Sequence, residues 1–193
     1  MTRFWLVRHG PTHARTMVGW SDLPADLSDA PALARLNAAL PAEALLISSD
    51  LSRAVTTADA LSQPGRRRLP HDRALREIHF GAWELRSYAE CEAGDPLLAR
   101  RFWEEPGSLS APGGESWDLM AGRVSKALAR LQGQHSEVII VAHFGAILAA
   151  VQHALQIPAK EVLSHRIGNL SLTCLELGDS ATPGRLHRIN HSP

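Results

Sequence analysis

The sequence predicts an α/β domain built on a mostly parallel sheet with an antiparallel edge, and three observations predict it. Apolar runs rich in Val and Ile recur without polar alternation, as in strands covered on both faces. Segments with apolar residues at helical spacing follow these runs, and strands that alternate with helices point to parallel pairing. The third observation is size. A chain of 193 residues, 45% hydrophobic and 21% charged, can bury a substantial core and is most simply one domain, residues 1–193.

The first element is a strand over "RFWLVRH" (3–9), followed by a long loop rich in Gly, Pro and Asp. "DAPALARLNAAL" (29–40) reads as a helix with Leu33, Leu36 and Leu40 on one side, and Pro31 falls in its first turn, where proline is tolerated. "ALLISSD" (44–50) is the second strand; Leu51, Val55, Ala58 and Leu61 then recur at helical spacing. "GRRRLP" (65–70) reads as a charge run in a turn, a solvated face able to steer an anion. "DPLLARRFWEE" (95–105) is a shorter helix. "ESWDLMAGRVSKALARL" (115–131) is a longer one, with Trp117, Met120, Val124, Leu128 and Leu131 on one stripe. "EVIIVAH" (137–143) is the third strand, and its helix carries Ile147, Leu148, Val151 and Leu155. "LSLTCLEL" (170–177) and "RLHRIN" (185–190) flank "GDSATPG" and read as an antiparallel edge hairpin.

Composition narrows the function classes. Twenty Lys plus Arg balance twenty Asp plus Glu, so nothing global draws the chain to nucleic acid or an acidic membrane. No run reaches membrane-spanning length, and the start does not read as a signal peptide, which makes a cytoplasmic location the expectation. Cys91 and Cys174 form no CxxC pattern. Each reads as a small buried hydrophobe rather than half of a disulfide or a zinc ligand.

Chemistry gathers at the predicted strand ends. Ligands of open parallel sheets bind beyond the carboxyl ends of the strands, and His9, Arg53 and His143 fall just past such ends, with Arg8 as the neighbour of His9. Arg53 opens its helix, where free N–H groups also favour an anion. Two Arg, two His and backbone donors suit a phosphoryl group, since guanidinium forks bind its oxygens bidentately. A histidine nitrogen can act as nucleophile and split hydrolysis into two displacements. Glu77, between apolar neighbours in "LREIHFGAWE" (75–84), is the candidate acid for the leaving oxygen.

These blocks carry a family resemblance. "LVRHGPT", "SSDLSRAVTTA", "LREIHFGAWE", "PGGES", "VAHFGAI" and "NLS" occur in order over residues 6–171. The chain resembles the histidine phosphatase superfamily, the phosphoglycerate-mutase-like proteins named for their RHG motif. The resemblance implies a three-layer αβα sandwich on a mixed sheet. It makes His9 the nucleophile that becomes a phosphohistidine. Arg8, Arg53, His143 and the backbone N–H of Phe144 would hold the phosphoryl oxygens. Glu77 would protonate the leaving alcohol and then activate water. Thr12, in the RHGxT motif, would be a secondary contact; Trp20 would wall the pocket, and Asn169 would orient groups near it. The resemblance implies no metal and no cofactor, because the Arg and His charges take that electrostatic role.

The partner it implies is a small phosphorylated substrate, of the α-ribazole phosphate or sugar phosphate class. The superfamily contains monomers and dimers, so a homodimer stays open. Phosphoglycerate mutases are typically longer, which favours the phosphatase branch. A mutase and a non-catalytic phospholigand-binding module on the same fold are the alternatives. Three departures from the family pattern bear on the substrate: Phe144 stands where Gly is common, Leu85 follows Trp83-Glu84 in place of Gly, and Arg15-Thr16 stands where several members carry Asn.

Overall fold

Residues 1–178 and 183–193 are described by a computed structural model of the protein. Six strands form one sheet: β1 (Arg3–Arg8), β2 (Ala44–Ser48), β3 (Arg66–Arg68), β4 (Glu137–Ala142), β5 (Leu172–Glu176) and β6 (Arg185–His191). Their order is β3-β2-β4-β1-β5-β6. The first four run parallel; β5 is antiparallel to β1, and β6 is antiparallel to β5. The antiparallel edge pairs the two expected strands, and residues 179–182 of "GDSATPG" lie outside the described residues.

The continuous apolar runs have a simple cause. In a strand, alternate side chains face opposite ways, and here both faces are covered. Phe4, Leu6, Leu45, Ile47, Val138 and Ile140 pack with α5 (Trp117–Leu131) and α6 (Phe144–Leu155) on one face. Val7, Leu46, Ile139 and Val141 pack with α1 (Ala30–Ala39) and α2 (Ser52–Ala60) on the other. The result is the expected three-layer α/β sandwich.

Caps place the helix starts. The Asp29 carboxylate accepts from Ala32 N at the head of α1, with proline in the first turn, and Ser116 Oγ accepts from Leu119 N at the head of α5. Helix α3 (Tyr88–Gly94) begins at a reciprocal capping box between Ser87 and Glu90, and Asp95 caps α4 (Pro96–Glu104). A short α7 (Ala159–Val162) follows α6, and single 3₁₀ turns occur at Arg73–Leu75 and Gly81–Trp83. Among the described residues no helix is long and apolar enough to cross a membrane.

One expectation is corrected. "GRRRLP" is not a solvated turn, because its three arginines form β3 beside β2. Arg66 is only 5% exposed. Its guanidinium binds the side chain of Asn37 and the carbonyls of Asn37, Leu40, Pro41 and Leu61. A buried charge is tolerable when its donors are filled this way.

Candidate active site

The sheet register builds the site. Arg8 pairs with Ala142 at the last rung between β1 and β4. Pairing continues one residue further: His9 N donates to Ala142 O (3.1 Å), and Ser49 N donates to Val141 O (3.1 Å). Three adjacent strands therefore release His9, Ser49 and His143 side by side. The His9 and His143 ring centroids lie 5.0 Å apart. Arg53, His9 and His143 are all buried.

His9 is held in one functional form. Its Nδ1 lies 2.6 Å from the Gly10 carbonyl oxygen, an acceptor, so Nδ1 carries the proton and donates. The other nitrogen, Nε2, keeps its lone pair. Burial pushes the imidazole pKa down to about 3, and the Arg53 and Arg8 charges push the same way, against the Gly10 hydrogen bond. Asn169 fixes the backbone here, donating from Nδ2 to His9 O at 2.9 Å.

His143 is also neutral. Burial holds its pKa well below the usual value, and the Arg53, Arg123 and Arg8 charges, with His9 whenever it is protonated, push the same way. Its Nε2 lies 2.6 Å from Ser49 Oγ, while Nδ1 has no protein partner. Among the described residues, the unpartnered buried side-chain polar atoms are His143 Nδ1, Arg8 Nε and Ser171 Oγ. All three belong to residues at the ends of β4 and β1 or the start of β5. Such orphans are rare in native proteins and call for an explanation. An oxyanion at this rim would supply the missing acceptor.

The arginines are anchored without being used up. Arg53 donates from Nη1 to Ser21 O (2.8 Å) and from Nη2 to Gly19 O (2.6 Å). Arg8 donates from Nη1 to Ile167 O (2.6 Å). A guanidinium has five N–H donors, so each retains several. Phe144 opens α6, where its backbone N–H is one of the free first-turn donors. Its ring lies under the Arg8 guanidinium, 5.7 Å from centroid to Cζ.

Glu77 joins the cluster, but in surroundings other than those expected. It follows a 3₁₀ turn, and its carboxylate is not enclosed by apolar groups alone. Oε1 accepts from Ile78 N (2.9 Å) and Gly145 N (3.1 Å), and Oε2 accepts from Gly145 N (3.0 Å). The carboxylate thus sits on the positive N-terminus of α6. A Cβ on Gly145 would collide with Oε1, so glycine is what allows the approach.

Trp20 lies on this side. Its indole N–H donates to Glu77 O (2.8 Å), and its ring stacks on His79 at 4.5 Å. Thr12 is half-buried in the loop after His9, and among the described residues no side-chain hydrogen bond ties it to the cluster.

Three supporting residues were not foreseen. Glu84 accepts from the backbone N–H groups of Gly19, Trp20, Ser21 and Phe80 and from Ser21 Oγ. It thereby shapes the loop whose carbonyls hold Arg53. Although burial opposes it, those hydrogen bonds lower its pKa. Arg123 grips the carbonyls of Ala74, Arg76 and Glu77 and forks onto Glu115, fixing the segment that presents Glu77. Ser49 holds His143. Glu84 and Glu115 lie inside the quoted motifs, which was the available signal. Among the described residues no group of three His, Cys, Asp or Glu side chains is placed to hold a metal ion.

The profile of the histidine phosphatase superfamily (branch 1) matches residues 4–191. The chain belongs to that superfamily. The glucosyl-3-phosphoglycerate phosphatase of Mycolicibacterium vanbaalenii is 33% identical over 175 residues, covering 81% of this chain and 75% of that one. A probable phosphoglycerate mutase of Proteus mirabilis is 27% identical over 187 residues, covering 93% and 87%. The solved structure of the mycobacterial glucosyl-3-phosphoglycerate phosphatase superposes with a TM-score of 0.86 at 29% identity, covering all of both chains. Membership in the superfamily agrees with the fold and with the strand-end cluster.

Proposed function

We propose how this member of the superfamily works: it is a phosphomonoester hydrolase of a small phosphorylated metabolite, and His9 is its nucleophile. The supporting observation is the state of His9, neutral, buried and with Nδ1 committed to Gly10, so that Nε2 is the free electron pair. In the first displacement Nε2 forms a bond to phosphorus while the bond to the leaving oxygen breaks. Glu77 gives its proton to that oxygen. In the second, Glu77 takes a proton from water as the water oxygen attacks the phosphohistidine, and inorganic phosphate leaves with His9 restored.

Arg8, Arg53, the Nδ1–H of His143 and the Phe144 amide hold the three phosphoryl oxygens, where transferred charge needs support. The positive charge comes from two guanidiniums already held in place, so no reorganisation is required at the moment of reaction. Thr12, Trp20 and Asn169 border this site. Residues 1–193 act as one domain, since strands near both termini share one sheet.

The test is phosphate release from 4-nitrophenyl phosphate with trapping of the phosphoenzyme. His9→Ala lowers kcat/KM by roughly 10⁴-fold or more. With this activated leaving group Glu77→Gln slows mainly the water step, by about 10²-fold or more, so an acid-labile phosphohistidine accumulates. Equal rates in wild type and His9→Ala would overturn the nucleophile. The likeness to the Proteus mirabilis protein keeps a mutase in view, and phosphoryl transfer between two hydroxyls without phosphate release would identify one.

A further inference from the structure

Beside the phosphoryl cluster lies an apolar cleft of about 130 Å³ whose lining includes Glu77 and Gly145. Its walls include Phe80, Phe102, Trp103, Trp117, Leu109 and the Phe144 ring. We propose that this cleft receives the alcohol portion of the substrate, and that this portion carries an aromatic ring joined to the phosphorylated oxygen by a short linker. The inference rests on the phosphatase reading above and narrows its substrate class.

Position is the first support. A general acid must lie within hydrogen-bond reach of the oxygen it protonates, so whatever is attached to that oxygen extends into space adjoining Glu77. The cleft is such a space. A second hollow of about 430 Å³, lined by His13, Asp26, Arg35 and Asn169 among others, does not include Glu77.

Size and chemistry give the second. An apolar cavity of about 150 Å³ holds benzene, so a space of about 130 Å³ fits one ring. Phe102 meets Trp103 edge-on at 5.0 Å and Trp83 edge-on at 5.2 Å, and Phe80 lies 6.3 Å from Phe102. A bound ring would extend this set at ordinary aromatic spacings. A sugar would strand its hydroxyls, and the Trp117 indole N–H is already donated to Gln152 Oε1 at 2.7 Å. The Phe144 side chain adds a further apolar wall.

Hydrolysis of 2-phenylethyl phosphate is compared with that of glycerol 3-phosphate and glucose 6-phosphate, three esters of primary alcohols. Acetyl phosphate, which needs no cleft, serves as the control for His9-dependent turnover. The aromatic ester shows a kcat/KM at least about tenfold above the other two, and Trp103→Ala reduces that ratio severalfold. Trp103 is 42% exposed, so truncation there does not open the core. His9-dependent turnover of acetyl phosphate with no aromatic preference would overturn the inference and leave the phosphatase reading intact. An aromatic preference unchanged by Trp103→Ala would also overturn it. Absence of His9-dependent turnover on every ester would remove the phosphatase reading itself. Sedimentation velocity covers the other occupant: a homodimer dissociated by Trp103→Ala would put a second copy over the cleft and overturn the inference.

Discussion

The Ser49–His143 contact bears on what the site can donate. The Ser49 hydroxyl donates to Nε2 when the imidazole proton sits on Nδ1, the buried nitrogen without a protein partner. That is the tautomer the proposed mechanism uses, with Nδ1–H left for the phosphoryl group. Ser49→Ala lowers kcat/KM by about 10-fold or more, chiefly through kcat, and Ser49→Thr restores it; steady-state kinetics on the three proteins checks this. The residues proposed to react were legible as candidates because each follows a strand end or lies in a motif. Their supports were less so. Glu84 acts on Gly19 across 65 positions and Arg123 acts on Ala74 across 49, and one-dimensional spacing does not reveal such pairs. Glu77 was found, but its seat on the α6 terminus depends on Gly145 and on tertiary packing.

Elements were readable where periodicity was strong and both faces of the sheet were covered. β3 was missed because three successive arginines resemble a solvated run, whereas the buried Arg66 clasps the ends of α1 and α2. α3 carried a readable signal, the Ser87–Glu90 spacing of a capping box, but its short stretch has little apolar pattern. The connection into α3 also carries a local cost. Leu85 adopts φ +61°, a left-handed conformation that side chains with a Cβ disfavour, and its side chain is largely solvent-facing. Leu85→Gly raises stability by about 0.5–1 kcal/mol and Tm by about 1–4 °C, read by thermal denaturation.

The molecule as a whole keeps two neutral imidazoles in its interior, and this links folding to pH. His9 and His143 are both held below the ordinary histidine value, so the unfolded chain binds more protons than the folded one once pH falls below about 6.5. Stability is therefore greatest above that value and declines as pH drops toward 3, the folded value of His9. Between pH 7.5 and 5.5 His9 alone removes roughly 1–1.5 kcal/mol, Tm falls by about 2–6 °C, and His143 acts in the same direction. Differential scanning calorimetry at the two pH values measures it, as a single cooperative transition. His9→Gln reduces the decrement.

The two buried cysteines make the molecule a reporter of its own opening. Cys174 lies in β5, between β1 and β6, its thiol pushed up to about 11 by burial, and Cys91 lies in α3 against α4, also raised by burial. Both thiols are almost wholly buried, so labelling times the local unlocking of each region. Cys174 in the sheet should react only at the rate of global unfolding. Cys91, in the helix pair whose α4 supplies Phe102 and Trp103 to the apolar cleft, should react sooner. A ligand filling that cleft should slow Cys91 alone, which mass spectrometry can follow thiol by thiol.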